Sequence, residues 1–419
     1  MTQALFYNIG SLVRVEDQGR GKKSGRMMQE ACEIRGAYLV THGEKIESLG
    51  PMKDCPSPNG FDESVDCSGR IVLPGFVDSH THVLYAGDRA EEFEMRSRGM
   101  TYEEIVKAGG GIKRSVEQVR NASEEELVAA TYPRLHEMIA HGTTTVEIKS
   151  GYGLSLQEEL KMLRAIRRLK GEVPIEIHAT FMGAHDIPTG VPRENYLNLL
   201  VDEMIPAVAR ERLAEFCDVF CDRGYFTPEE TRKIGVVAKE HGMKLKIHAN
   251  ELGETGGAEV AVELGALSAD HMIHLGEGQF RVLKGGKTIV TLLPGTSFFL
   301  KFPYAPARKL IDNGIAVALA TDSNPGSCTT LSIPFILNLA TTQMGMTPAE
   351  ALVATTLNGA AALGIAGRIG SLEVGKEADL IVTKPMTHLR EIPYRLAQNP
   401  CWRIYKGGNL VAENPSGLA

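Results

Sequence analysis

The sequence predicts an α/β protein: a (β/α)8 TIM barrel with a small β-sandwich domain built from both chain termini. Three features of the chain point there. Eight short apolar runs, near residues 76, 145, 177, 218, 247, 271, 290 and 318, alternate with segments of helical period. Strand-rich stretches without a helix of normal length occupy the two ends. No Gly-x-Gly-x-x-Gly turn follows the first run, so the chain lacks the signature of a dinucleotide-binding open sheet. Gly109-Gly110-Gly111 lacks that spacing and reads as a flexible loop. The expected division is a composite β domain of residues 1–72 with 373–419 and a barrel of residues 73–372.

At the N-terminus, Ala37-Tyr38-Leu39-Val40 and Ile46-Glu47-Ser48-Leu49 flank a turn at Gly43-Glu44-Lys45, which predicts a hairpin. A second hairpin is expected in the far segment, between residues 378–382 and 402–411. Neither piece alone buries a core, so the two must combine. Between them, Leu73-Pro74-Gly75-Phe76-Val77-Asp78-Ser79-His80-Thr81-His82 is the first barrel strand. Ser123 with Glu126 makes a capping box and opens a helix that reaches about Ala140 before Gly142. Strand 143–148, helix 156–170, strand 174–181, helix 196–210 and strand 216–221 follow. Pro228, after Thr227, takes the first helical position, where its missing N–H costs nothing. That helix ends at Gly242 and leads into strand 244–249. Helices 257–264, 279–283 and 307–313 then alternate with extended segments 268–274, 288–293 and 315–321.

The hydrophobic fraction of 43% and charged fraction of 23% are those of an ordinary soluble enzyme. A net charge of −7 without a compensating basic stripe argues against nucleic acid and for a small-molecule substrate. Residues 1–14 lack a basic then apolar leader, and no apolar run approaches the ~20 residues of a membrane span. A cytoplasmic protein without membrane contact is expected. The seven cysteines contain no Cys-x-x-Cys pair, and Cys217 and Cys221 fall within a strand, as buried thiols of a reducing compartment would.

Functional side chains of such barrels gather at the C-terminal ends of the strands. His80 and His82 end the first strand, His178 lies on the third with His185 beyond it, His248 ends the fifth, His271 lies on the sixth, and Asp322 follows the eighth. Strand alternation sets the two imidazoles of His80-Thr81-His82 on one face about 7 Å apart, within reach of one metal ion. The pair by itself fits two core histidines equally well; its coincidence with the other strand ends favours the metal. Glu251, three residues after His248, sets a proton carrier over that position, as metal-assisted hydrolysis requires; the alternative is a charge at a helix start. Asp322 fits either a ligand or an Asx-turn before Asn324-Pro325-Gly326. Lys246 shares parity with His248 and should face the barrel interior, where a bare ammonium is strongly destabilising. A buried pair with Asp78 or Glu176 is therefore expected beneath the metal.

The strings Pro74 to His82, His248-x-x-Glu251, His271 and Thr321-Asp322 stand in the order used by the amidohydrolase superfamily, which the chain resembles over essentially its whole length. Gly370-Ser371-Leu372-Glu373-Val374-Gly375-Lys376-Glu377-Ala378-Asp379-Leu380 looks like a strand pair common there. Four further strings are similar to the branch that opens an imidazolone ring in histidine degradation: Tyr85-Ala86-Gly87-Asp88-Arg89, Lys149-Ser150-Gly151-Tyr152-Gly153-Leu154, Gly183-Ala184-His185 and Asp322-Ser323-Asn324-Pro325-Gly326-Ser327. The resemblance implies hydrolysis of the cyclic amide of 4-imidazolone-5-propanoate to N-formimidoyl-L-glutamate. It implies one metal ion, Zn2+ or Fe3+, held by His80, His82, His248 and Asp322. Dinuclear members bridge two metals with a lysine on strand four; Asp218-Val219-Phe220-Cys221-Asp222 has none, which agrees with a single ion. The resemblance further implies that Arg89, Tyr152, His185, Glu251 and Ser327 contact substrate, with Asn324 and Gly326 near the product.

On this basis Glu251, His271 and Asp322 are the catalytic candidates. Glu251 would move a proton to the departing nitrogen, Asp322 or His271 would take one from water, and His271 or His185 would donate to the oxyanion. A homodimer is the expected assembly. Two rival functions remain at this level: a deaminase of a nucleobase-like ring, with the same ligands and glutamate, and a non-catalytic relative, against which the full ligand set argues.

Overall fold

The computed structural model describes residues 2–416 except 102–103 and 106–108. The N-terminal segment forms β1 (Gln3–Val13), β2 (Glu33–His42), β3 (Lys45–Pro51), β4 (Glu63–Asp66) and β5 (Ile71–Pro74). Eight parallel strands follow: β6 (Phe76–Asp78), β7 (Thr143–Lys149), β8 (Glu176–Ala184), β9 (Phe216–Cys221), β10 (Lys244–Ala249), β11 (Ser268–His271), β12 (Ile289–Leu292) and β13 (Val317–Leu319). The chain closes on β14 (Leu380–Thr383), β15 (Cys401–Lys406) and β16 (Asn409–Glu413).

β6 to β13 pair in sequence order, each at one of the eight expected positions. β7 and β9 are buried at every residue, because helices cover one face and the barrel interior the other. β6 and β13 have three residues each, too few to close the barrel by themselves. Closure is completed just beyond them. Thr81 bridges Ser323, the His82 N–H donates to the Ser323 carbonyl at 2.9 Å, and the Asp322 N–H donates to the His80 carbonyl at 3.0 Å. This seam sets His80, His82 and Asp322 side by side although some 240 residues separate them.

Asp78 stitches the same seam from below. Fully buried, it accepts from the Thr321 N–H at 3.0 Å and the Thr321 hydroxyl at 2.6 Å, and burial pushes its carboxyl up to about 7. The expected pair of Lys246 with Asp78 or Glu176 does not form. Lys246 is buried as expected, but its Nζ donates to Ser268 Oγ at 2.7 Å and lies 3.7 Å from Asp270 Oδ2. Parity decides whether a side chain faces the interior; register decides at which height. Lys246 stands opposite Ser268 in β11, whereas Glu176 opens β8 at the other end of the barrel, bonded to Arg368, Lys406 and His178.

The terminal strands form one mixed sheet in the order β16-β15-β14-β5-β1-β2-β3, with β4 beside β1. The expected hairpin of β2 with β3 is present; β14 pairs antiparallel with β15 as expected, but the segment 402–411 read as a single strand instead folds back on itself as β15 and β16. Its core includes Phe6, Leu39, Leu380 and Tyr405, with the Phe6 and Tyr405 rings edge to face at 4.9 Å. β5 passes from this sheet into β6 with Gly75 alone between them. A Cβ there would stand 2.3 Å from Thr144 Oγ1, so only glycine allows the passage.

The capping boxes at Ser123 and Thr227 form as the sequence predicts. The helix expected over 196–210 is instead a composite, Arg193–Asn198 and Ile205–Glu211 joined through a π segment, Leu199–Met204. Helices Ala90–Ser97 and Ile112–Asn121 lie in the long connection after β6 and were not among the expected elements, although in the second Ile112, Val116 and Val119 recur at helical spacing. Among the described residues no helix is long and apolar enough to cross a membrane, and the seven cysteines are free thiols.

Candidate functional site

His80 and His82 lie just past β6 rather than on it, held extended by the seam to Ser323. His248 is the penultimate residue of β10 and His271 the last of β11. His271 and Asp322 adopt left-handed backbone, φ 74° and 53°. For residues other than glycine such conformations cost on the order of 1–3 kcal/mol each and persist where surrounding structure imposes them, typically at functional sites.

The side chains converge. His82 Nε2 lies 3.3 Å from His248 Nε2, while Asp322 Oδ1 lies 3.5 Å from His80 Nε2 and 3.7 Å from His82 Nε2. His80 Nδ1 meets Asp270 Oδ2 at 2.7 Å, and His248 Nδ1 lies 3.0 Å from Asp218 Oδ2. The Asp270 carboxylate accepts, so His80 Nδ1 carries the hydrogen and His80 Nε2 is bare, whereas His248 Nδ1 makes no hydrogen bond although Asp218 Oδ2 stands beside it. His80 Nε2 is fully buried and has no hydrogen-bond partner among the described residues. Bare nitrogens facing one another and a carboxylate leave a position that only a cation satisfies.

The electrostatics agree with a metal site. Burial drives the His80, His82 and His271 imidazoles well below their ordinary range, which keeps them in the neutral, ligating form. Burial pushes Asp322 up to about 6, and Thr296 Oγ1 donates to its Oδ2 at 2.5 Å, leaving Oδ1 for the histidines. The donor set therefore fits a metal ion. His271 shares this ground: ligand atoms of His80, His248 and His271 all lie within 4.8 Å of one another.

Glu251 sits in a tight turn after β10. Asn250 reverses the chain at φ 55°, and Asp222, just past β9, accepts from the N–H groups of Glu251 at 2.7 Å and Leu252 at 2.9 Å. The Glu251 carboxylate reaches to 3.6 Å from His271 Nε2. Burial, reinforced by Asp322 and Asp222, raises its carboxyl well above the usual range.

Over the cluster opens a cavity of about 220 Å3 with His82, His248, His271 and Asp322 on its floor. Arg89, Tyr152, His185, Glu251, Asn324, Gly326 and Ser327 all line it. His185 stacks on His82 with ring centroids 4.9 Å apart, and its Nδ1 donates to the Gly151 carbonyl at 3.0 Å. Its Nε2 is then bare, and burial lowers its pKa to about 3, so His185 offers an acceptor and not the oxyanion donor expected as one option. Arg89 gives Nε and Nη2 to Glu92 Oε2 at 2.9 and 2.6 Å, so it has a carboxylate neighbour in the protein as well as a place in the cavity wall. Gly326 lies under this guanidinium: a Cβ there would stand 1.9 Å from Arg89 Nη1.

Several lining or supporting residues escaped the sequence. Arg96 donates both Nη atoms to the Gly326 carbonyl at 3.1 Å and lines the cavity, but it sits on a mostly polar helix without a spacing signal. Phe220 and Tyr225, stacked at 4.0 Å, form an aromatic wall. Glu147 and Lys149 were legible in principle, since two charges at i and i+2 in the run Thr143–Lys149 must share the interior face. His178, by contrast, lies at the start of β8 between Glu176 and Glu215, at 2.9 and 2.6 Å, and takes no part in the cluster.

The sequence matches the model of the Amidohydrolase family over residues 71–409. It is 46% identical to the imidazolonepropionase of Symbiobacterium thermophilum over 98% of this chain and 97% of the other, and 47% identical to that of Clostridium tetani over 93% and 94%. The imidazolonepropionase of Christiangramia forsetii is 42% identical over 97% and 99%. In three dimensions the fold is similar to a zinc-bound mutant of atrazine chlorohydrolase from Arthrobacter aurescens, with TM-score 0.76 at 18% identity over 98% of this chain and 95% of that one. It is also similar to Escherichia coli guanine deaminase, with TM-score 0.72 at 18% identity over 99% and 100%. With a family match across most of its length and full-length relatives of one kind, the chain belongs to the amidohydrolase family and, within it, to the imidazolonepropionases.

Proposed function

We propose that this chain hydrolyses the cyclic amide of 4-imidazolone-5-propanoate to N-formimidoyl-L-glutamate, using one ion, Zn2+ or Fe3+, held by His80, His82, His248 and Asp322. The supporting observation is the convergence of bare imidazole nitrogens and one carboxylate on the floor of a cavity whose wall carries Arg89. Held by these residues, such an ion would supply Lewis acidity, making water acidic enough to ionise near neutral pH and polarising a carbonyl oxygen. Zinc is the ion in the atrazine chlorohydrolase neighbour.

The chain's own residues do the rest. Asp322, whose Oδ1 faces the histidine cluster, is the candidate to take a proton from water. Glu251, whose carboxyl is raised by burial, delivers a proton to the ring nitrogen as the C–N bond breaks and is restored by the proton taken from water, so water is added across that bond with no other product. The 3.6 Å contact with His271 Nε2 keeps Glu251 over the reacting carbon, and His271 is the remaining candidate donor to the oxyanion. His185 Nε2 accepts from a ring N–H, beside the Tyr152 hydroxyl. Arg89 pairs with the propanoate carboxylate, and Asn324, Gly326 and Ser327 border the product.

The proposed domain division is the composite β domain of residues 1–72 with 373–419 on a barrel of 73–372. The proposed assembly is a homodimer, consistent with the exposed Phe298, Tyr394 and Leu396.

Authentic imidazolonepropanoate should be consumed with formation of the formimidoyl product and no ammonia. Ammonia released in step with substrate loss would establish a deaminase instead. Replacing Arg89 by Met should raise KM about 10- to 100-fold, the worth of a charge-assisted hydrogen-bonded pair, with kcat and metal content little changed. Steady-state kinetics with elemental analysis checks this; an unchanged KM would remove Arg89 from the substrate contacts.

A further inference from the structure

Beneath the cavity floor the barrel interior holds five charged side chains that the reaction does not use: Glu147, Lys149, Asp218, Lys246 and Asp270, each fully buried. They fall into two branches. In the first, Lys149 Nζ donates to Asp218 Oδ2 at 2.8 Å and to Glu147 Oε1 at 2.6 Å. Asp218 Oδ2 in turn lies 3.0 Å from His248 Nδ1, and Oδ1 accepts the His248 backbone N–H at 3.1 Å. In the second, Lys246 Nζ, tied to Ser268 Oγ at 2.7 Å, stands 3.7 Å from Asp270 Oδ2, which accepts His80 Nδ1 at 2.7 Å. Glu147 extends the first branch to Thr180 Oγ1 and to the Thr81 N–H at 3.2 Å, between the two histidines of the first strand.

Pairing buried charges is by itself an uncertain source of stability, because desolvation offsets most of the attraction. The arrangement has a more specific outcome: each lysine meets an aspartate, and each aspartate ends on the Nδ1 of one imidazole. The register makes this possible, since Lys246 is opposite Asp218 in β9 and Ser268 in β11, and His248 is opposite Asp270. Among the described residues His80 Nδ1 makes a formed hydrogen bond to its aspartate, His248 Nδ1 stands 3.0 Å from Asp218 Oδ2 outside hydrogen-bond geometry, and His82 Nδ1 has no partner.

We propose that Asp218 and Asp270 are positioning residues, the first bonded by Lys149 and the second with Lys246 as its counter-charge, that favour the Nδ1–H tautomer of His248 and His80 and aim their Nε2 atoms at the metal. The assignment rests on the metal site proposed above. Lys149 fixes the Asp218 carboxylate in rotation; without it that carboxylate keeps only its bonds to His248 and is free to turn from Nδ1. Lys246, bonded to Ser268 Oγ and 3.7 Å from Asp270 Oδ2, gives Asp270 a counter-charge without a direct bond.

Competition for the ion between purified protein and a chelator series tests this without recourse to activity. Asp218→Asn and Asp270→Asn, near-isosteric changes, should each weaken ion binding about 10- to 100-fold, the usual cost of losing such a partner, with the metal-free fold intact by circular dichroism. Lys149→Met should weaken it in the same direction, and the double variant D218N/K149M should bind no more weakly than the weaker single, because both changes act through one carboxylate. Aspartate variants that hold the ion as tightly as the parent, or losses from Lys149→Met and Asp218→Asn that multiply, would overturn the proposal. If Lys149→Met does not fold, the double variant is compared with Asp218→Asn alone: equal affinity supports the relay and a further tenfold loss refutes it. A parent protein that binds no ion would instead fault the metal assignment.

Discussion

His248→Ala leaves the purified protein largely without its ion and lowers kcat/KM by more than about 100-fold, since even an outer partner of a metal ligand is worth 10- to 100-fold. The size follows from where the residue stands. His248 Nε2 is 3.3 Å from His82 Nε2, and its Nδ1 is the end point of the Lys149–Asp218 branch, so alanine removes a ligand and strands a buried carboxylate together. The pocket has no ready replacement with the same support. His271 is close enough to compete for the ion, but its Nδ1 lacks the neighbouring carboxylate that His248 Nδ1 has in Asp218, and its Nε2 faces Glu251. Elemental analysis of the purified variant, with kinetics before and after metal addition, measures both effects. Full metal content with parental activity would remove His248 from the ligand set.

Glu251→Gln acts on a different step. It should lower kcat about 10^2- to 10^4-fold, the range for loss of a positioned proton carrier, while metal content stays at the parental level. Glutamine keeps the shape of the side chain, and the turn is held through backbone N–H groups by Asp222, so KM should change little. This separates Glu251 from Arg89, whose replacement acts on KM, and from His248, whose replacement acts on the metal. Steady-state kinetics on variants of equal metal content makes the comparison. A Gln variant that turns over at the parental rate would move proton delivery to another group.

The barrel was legible because its strands are buried on both faces and stand out as apolar runs, and the ligands because polar residues at the ends of such runs are conspicuous. His80, His82, His248 and Asp322 needed no structure to be grouped, yet the reason they meet did. Two three-residue strands, β6 and β13, leave the seam to Asp78, Thr81 and Ser323, and side-chain closure of that kind has no periodic signature. Lys246 shows the complementary limit. Its inward direction followed from parity, but its partner depends on the stagger between strands, which brings Ser268 and Asp270 to its height and sends Glu176 to the opposite end. The cavity wall contributed by Arg96 and Tyr225 was hidden for another reason: one sits on a short polar helix and the other in a loop, whose placement over the barrel mouth comes from tertiary packing, while Phe220, near the end of β9, passed as one more apolar strand residue.

The central claim is that a metal-dependent site at the barrel mouth opens the imidazolone ring. Its most direct test is the loss of absorbance of authentic imidazolonepropanoate with the purified protein, before chelation, after removal of the ion, and after one equivalent of Zn2+ or Fe3+ is restored. Turnover should be present, lost and regained in that order. Turnover that survives complete removal of the ion, or a protein that is inert toward this substrate when fully loaded, would contradict it.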